Sequence, residues 1–108
     1  MECVLVKIAV FTPLSHAKAV RKALAEAGAG QLGHYDHCSF SVRGTGRFRP
    51  LKGAKPFLGT AGVIEEVDEE KIEVICPIAK LDSVLAAVRE VHPYEEPAID
   101  VYPLLNRP

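Results

Sequence analysis

Cys3-Val4-Leu5-Val6-Lys7-Ile8-Ala9-Val10-Phe11 lies within a strand predicted over residues 2–11, and its reading decides the fold. Successive side chains of a strand point to opposite faces. Val4, Val6, Ile8 and Val10 fill one face; Cys3, Leu5, Ala9 and Phe11 fill most of the other, with Lys7 the single charge. A strand apolar on both faces is covered on both, so the sheet holding it has no face designed for water.

Working outward, Thr12-Pro13-Leu14-Ser15 breaks the strand, with Ser15 as N-cap of a helix to about Ala27. Val20, Ala23, Leu24 and Ala27 recur at i, i+3, i+4, i+7 and form its apolar stripe; Gly28 ends it. Residues 34–43 alternate as a second strand, placing Cys38, Phe40 and Val42 opposite Tyr35, His37, Ser39, Ser41 and Arg43. Residues 44–62 then read as one long glycine- and proline-rich loop, of a length that is usually functional or mobile. Residues 63–67 and 71–76 read as a hairpin turning at Asp68-Glu69-Glu70, with Ile72, Val74 and Cys76 facing the core. Pro77 opens a second helix striped by Leu81, Val84, Leu85, Val88 and Val91, which Pro93 ends. Ile99 to Leu104 is a last short strand.

The order is βαββαβ with an extra hairpin. Right-handed crossovers turn it into an α+β, ferredoxin-like fold: a four-stranded antiparallel sheet with two helices on one face. The other face then carries Leu5, Ala9, Phe11, Tyr35 and Ile75, a half-apolar surface that calls for a partner, and self-association is the expectation. Five basic residues and no acid lie between Arg43 and Lys55, and six acids with one lysine between Glu65 and Glu73. Such blocks either meet across a subunit interface or remain solvated.

The 108 residues suit one domain, residues 1–108. Hydrophobic residues make up 48%, enough for one core, and no apolar run reaches the ~20 residues of a membrane span. A net charge of -1 points away from nucleic acid. Three cysteines (Cys3, Cys38 and Cys76), none in CxxC spacing, set aside a disulfide framework or zinc knuckle; each reads as a buried free thiol in a strand. Without a positive n-region or cleavage site, the N-terminus is no signal peptide and the protein is expected in the cytoplasm.

Two segments carry a family signature. One runs Gly33-His34-Tyr35-Asp36-His37-Cys38-Ser39-Phe40, through Gly44-Thr45-Gly46-Arg47-Phe48-Arg49-Pro50, to Pro56-Phe57-Leu58-Gly59. The other is His92-Pro93-Tyr94-Glu95-Glu96-Pro97-Ala98-Ile99-Asp100-Val101-Tyr102. Together they resemble the central inserted domain of the NIF-three-like (YqfO-type) proteins, over nearly the whole chain. The second also resembles the His-Pro-Tyr-Glu-x-Pro motif of the CutA divalent-cation-tolerance proteins. The resemblance implies a free-standing CutA/PII-like domain that assembles as a homotrimer. Full-length NIF-three-like proteins resemble metal-dependent hydrolases, but their metal ligands lie in flanking domains, so that activity is not carried over.

Three places could hold chemistry. His37 is a candidate metal ligand that could approach a neighbouring subunit, or a structural histidine. His92, Tyr94, Glu95 and Glu96, bracketed by Pro93 and Pro97, offer imidazole and carboxylates suited to zinc or copper; the CutA resemblance implies copper at His92 with Glu95 or Glu96. The same segment is also a good structural helix stop. In the long loop, Arg47 and Arg49, with Tyr94, would hold a small anionic ligand through phosphate or carboxylate pairing. The alternative there is a structural hairpin packed over Phe48 and Phe57. With His37 and Cys38 pointing apart, no nucleophile–base pair is expected, and the domain reads as non-enzymatic. It is a sensing or binding module for a small ligand or divalent metal; alternatively, it is a structural module for an unknown protein partner.

Overall fold

A computed structural model describes residues 4–105; Cys3 and the first residues of the predicted strand lie outside the described residues. Strand β1 (Leu5–Pro13) leads through a 3-10 turn into helix α1 (Ala17–Glu26). Strands β2 (Phe40–Phe48) and β3 (Glu65–Pro77) follow, then a second 3-10 turn, helix α2 (Leu81–Val91) and strand β4 (Ile99–Pro103). The sheet order is β2-β3-β1-β4, with every neighbouring pair antiparallel. This is the ferredoxin-like arrangement expected from the sequence.

Both strand-to-helix passages use one device. Pro13 (φ -61°, ψ 150°) and Pro77 (φ -60°, ψ 134°) hold the last extended residue, and a 3-10 turn then starts the helix. Ser15 therefore does not cap α1. Its hydroxyl instead meets His16 Nδ1 at 2.7 Å, inside that 3-10 turn. At the far end of α1, Ala29 N–H donates to Leu24 C=O and Gly28 N–H to Ala25 C=O, a Schellman stop that needs the positive φ of Gly28 (113°).

Val6, Ile8, Val10, Ile72, Val74 and Cys76 line one face of the sheet and are buried beneath Val20 and Leu24 of α1 and Val84 and Val88 of α2. Each such aliphatic side chain contributes about 1.5–3 kcal/mol by leaving water. The register places Lys7, Ile75 and Tyr102 in one row of the opposite face. Ala9, Glu73, Phe40 and Asp100 form the next row, and Phe11, Lys71 and Val42 the third. Phe40 (66% exposed) and Val42 (46%) on edge strand β2, and Tyr102 (48%) on the opposite edge strand β4, therefore leave exposed apolar side chains at both edges of the open face.

Further expectations change, among them the start of the long loop: residues 44–48, read as loop, belong to β2. The hairpin at Asp68-Glu69-Glu70 does not exist: β3 runs unbroken for 13 residues. The acids are tolerated because Glu70 pairs with Arg21 and Glu69 with Tyr94, and Asp68 faces Thr45 across the strands. The true partner of β3 is β2, so the basic and acidic blocks meet within one chain: Arg43 stands opposite Glu70, and Arg47 Nε lies 3.4 Å from Glu66. Lastly, the second strand begins at Phe40, not at residue 34. Residues 31–39 bond among themselves and to Gly30: Leu32 and Tyr35 exchange backbone hydrogen bonds, and Cys38 N–H donates to Gly30 C=O. Tyr35 is thus outside the sheet, and Cys38 is only half-buried, whereas Cys76 is buried as expected. Burial pushes the Cys76 thiol pKa up, so it stays protonated.

β1 pairs with β3 only as far as Glu69. Beyond it, residues 45–48 and 65–68 continue as a two-stranded arm, and the molecule measures 48 × 27 × 22 Å. Among the described residues, no helix is long and apolar enough to cross a membrane.

Candidate functional site

The arm and the turn after α2 converge on one groove. α2 ends at Val91 because His92 is extended (φ -73°, ψ 131°) ahead of Pro93. His92 is buried, and its ring tethers the turn to the end of β1. Nε2–H donates to Phe11 C=O at 2.7 Å, and Nδ1 accepts the Tyr94 N–H at 3.2 Å. Those two bonds require the neutral ring protonated on Nε2. Burial lowers the His92 pKa in the same sense, partly opposed by the Phe11 carbonyl and the charge of Glu69. Phe11 N–H in turn donates to Ala98 C=O at 3.1 Å.

This tether carries Tyr94 across the open face to β3, where its hydroxyl donates to Glu69 Oε2 at 2.9 Å. Burial, then the bond to Glu69 and its charge, raise the phenol pKa, so Tyr94 remains a donor. Glu69 itself is only 9% exposed and leans over Gly46 of β2. A Cβ at position 46 would stand 2.1 Å from Glu69 Oε1, so glycine is what lets the carboxylate cross the strand.

Residues 49–64 fold back over this pair. Gly62 N–H donates to Pro50 C=O at 2.8 Å, closing a compact loop. Lys55 N–H donates to Glu95 Oε1 at 3.0 Å, which fastens the loop to the turn. Phe48 and Phe57 flank the Tyr94 ring at 5.7 and 6.4 Å between centroids, and Phe57 also meets His16 edge-on at 5.4 Å. The open groove is about 540 Å³ and mostly apolar, within the range of small-molecule clefts.

Arg47, Arg49 and Tyr94, the three residues read as ligand-binding, all line this groove with Glu95 and Glu96. Of the four residues read as metal ligands, His37 is not brought to the other three. His37 sits elsewhere, exposed beside a second cleft against α1, with φ 57° and Nδ1 at 3.1 Å from Asp36 Oδ1. His92 has both ring nitrogens engaged, and Glu95 holds the Lys55 amide. Among the described residues, no three His, Cys, Asp or Glu side chains stand where they could share a cation.

Sequence reasoning missed Glu69, Gly46 and Phe11 as parts of the site. The sequence carried no signal for Glu69: residues 68–71 are four consecutive charged residues, with no alternation of apolar and polar side chains to mark a strand.

The fold is CutA/PII-like, with ferredoxin-like topology. CutA from Archaeoglobus fulgidus, titled a periplasmic divalent cation tolerance protein, superposes with a TM-score of 0.70 at 22% identity, over 95% of this chain and 86% of that one. At that identity the likeness is one of fold. The sequence relationship is with longer proteins. The chain is 48% identical over 102 residues to a GTP cyclohydrolase 1 type 2 homolog of Mycobacterium leprae, covering 94% of this chain and 26% of that protein. It matches a Bacillus cereus protein related to NIF3 with a TM-score of 0.84 at 47% identity, over 96% of this chain and 26% of that one. This chain is therefore similar to one segment of these longer proteins, and it spans about a quarter of the length of the relatives it matches. No protein-family model matches it.

Proposed function

We propose that this chain is a non-enzymatic, homotrimeric small-ligand-binding module, with the groove between the β2–β3 arm and the 92–98 turn as its site. One observation carries the reading. Two stretches more than 30 residues apart in sequence, Gly46 to Leu58 and Tyr94 to Ala98, build a preformed cleft around the buried Glu69–Tyr94 pair. A preformed apolar cleft with few convergent polar groups is the usual form of a small-molecule site. The exposed Phe40 and Val42 at one edge of the open face and Tyr102 at the other support self-association through that face. Its area is also what a protein-interaction module would use, and that is the second reading.

Native mass spectrometry of the full chain, purified without chelator, tests both. A trimer carrying a stoichiometric small-molecule mass, lost when Tyr94 becomes alanine, is the expected result. A bare trimer whose groove residues stay unperturbed by any added small molecule favours the interaction module. A monomer refutes assembly through the open face.

A further inference from the structure

We infer that the groove is built for an organic cation, an ammonium or guanidinium group on an apolar body; this rests on the reading of the groove as a small-ligand site. Glu69 is nine-tenths buried and lines the cavity. Tyr94 occupies its Oε2, and among the described residues no other hydrogen bond or ion pair reaches the carboxylate. The second oxygen is open to the groove, so a largely buried carboxylate offers its charge there without a protein counter-charge, and a cation is what it would attract.

The walls agree with the floor. Phe11, Phe48, Phe57 and Tyr94 surround the cavity, and the negative faces of aromatic rings attract cations. Lys71 already lies 5.7 Å from the Phe11 ring centroid, held by Glu73 rather than by Glu69. The lining charges also favour a cation. Three carboxylates, Glu69, Glu95 and Glu96, line the groove against two arginines; all but Glu69 are exposed, and Arg47 is drawn to Glu66, outside the lining. The anionic ligand expected from Arg47 and Arg49 alone would have to enter beside the unfilled oxygen of Glu69.

The test is an amide-shift titration of the full chain with three matched probes: benzyltrimethylammonium, benzyl alcohol and benzoate. Benzyltrimethylammonium should shift the amides of Gly46, Phe48, Lys55 and Tyr94 and bind at least about tenfold more tightly than the other two. Glu69→Gln keeps an acceptor for the Tyr94 hydroxyl and removes only the charge, so it should weaken the cation about tenfold without unfolding the chain. Arg49→Ala should tighten it. Benzoate or benzyl alcohol binding the same residues as well as the cation overturns the inference and leaves the small-ligand reading standing, as does a Glu69→Gln variant with unchanged affinity. No shift from any probe up to about 10 mM, beyond the weak end of specific binding, overturns both.

Discussion

Replacing Gly46 with alanine separates two accounts of the groove by the sign of one number. Gly46 sits in β2 with ordinary strand backbone, and its φ is not in the left-handed region. A strand glycine of that kind normally gains about 0.4–1 kcal/mol on becoming alanine, because the unfolded chain loses freedom. Here the new Cβ would fall 2.1 Å from Glu69 Oε1, 2.3 Å from Cδ and 2.8 Å from Oε2, so the carboxylate must swing away. Tyr94 then loses a charged acceptor, a loss of about 1.5–3 kcal/mol. The balance is a net destabilisation of about 1–2 kcal/mol, or roughly 5–15 °C in Tm for a domain of this size. Urea and thermal unfolding at one fixed protein concentration measure it, since assembly makes stability concentration-dependent. In a Tyr94→Phe background the penalty should shrink, because the bond is already gone. A stabilised Gly46→Ala protein, or an equal penalty in both backgrounds, would refute the coupling of Gly46, Glu69 and Tyr94.

Other substitutions probe the surrounding framework. Because the folded pKa of His92 is depressed, its contribution is fully present above the unfolded value near pH 6.5 and is lost as pH falls through it toward the folded value. Thermal melts from about pH 7.5 to 5 should therefore slope more steeply for the native chain than for His92→Gln, by at most about 1.4 kcal/mol per pH unit; parallel curves would remove His92 as the cause. Gly30→Ala should lower stability by more than about 2 kcal/mol in denaturant titration, since Gly30 has φ 79° and a Cβ there would lie 2.5 Å from the Cys38 carbonyl oxygen, which is backbone and cannot turn aside. Val42→Asp, opposite Lys71 on β2, should leave the fold intact while reducing a trimer to monomers in sedimentation; an unchanged mass would place the interface elsewhere.

Much of the framework followed from local pattern. The two helical stripes, the proline strand ends and the two-sided apolarity of β1 are all set by residues within a few positions of one another, and hydrophobic periodicity reports such relations directly. The same pattern placed Leu5, Ala9, Phe11 and Ile75 on the open face, where the register confirms them. Local pattern misled where a distant partner made a residue tolerable. Asp68-Glu69-Glu70 has the composition of a turn, and only Arg21 and Tyr94 explain why it is a strand. His37 has the alternation of a strand, but residues 31–39 turn back on Gly30.

The sequence by itself determined which chemistry was available: the aromatic rings, carboxylates and arginines of the two motifs, and a ferredoxin-like frame to carry them. Tertiary structure alone decided what they do together. His92 reaches Phe11 across 81 residues and so gives up both ring nitrogens to structure; Tyr94 reaches Glu69 across 25 and gives the groove its acidic floor. Periodicity tells which way a side chain faces along its own element, whereas such pairings depend on how the ends of β1, β3 and α2 are brought together by packing.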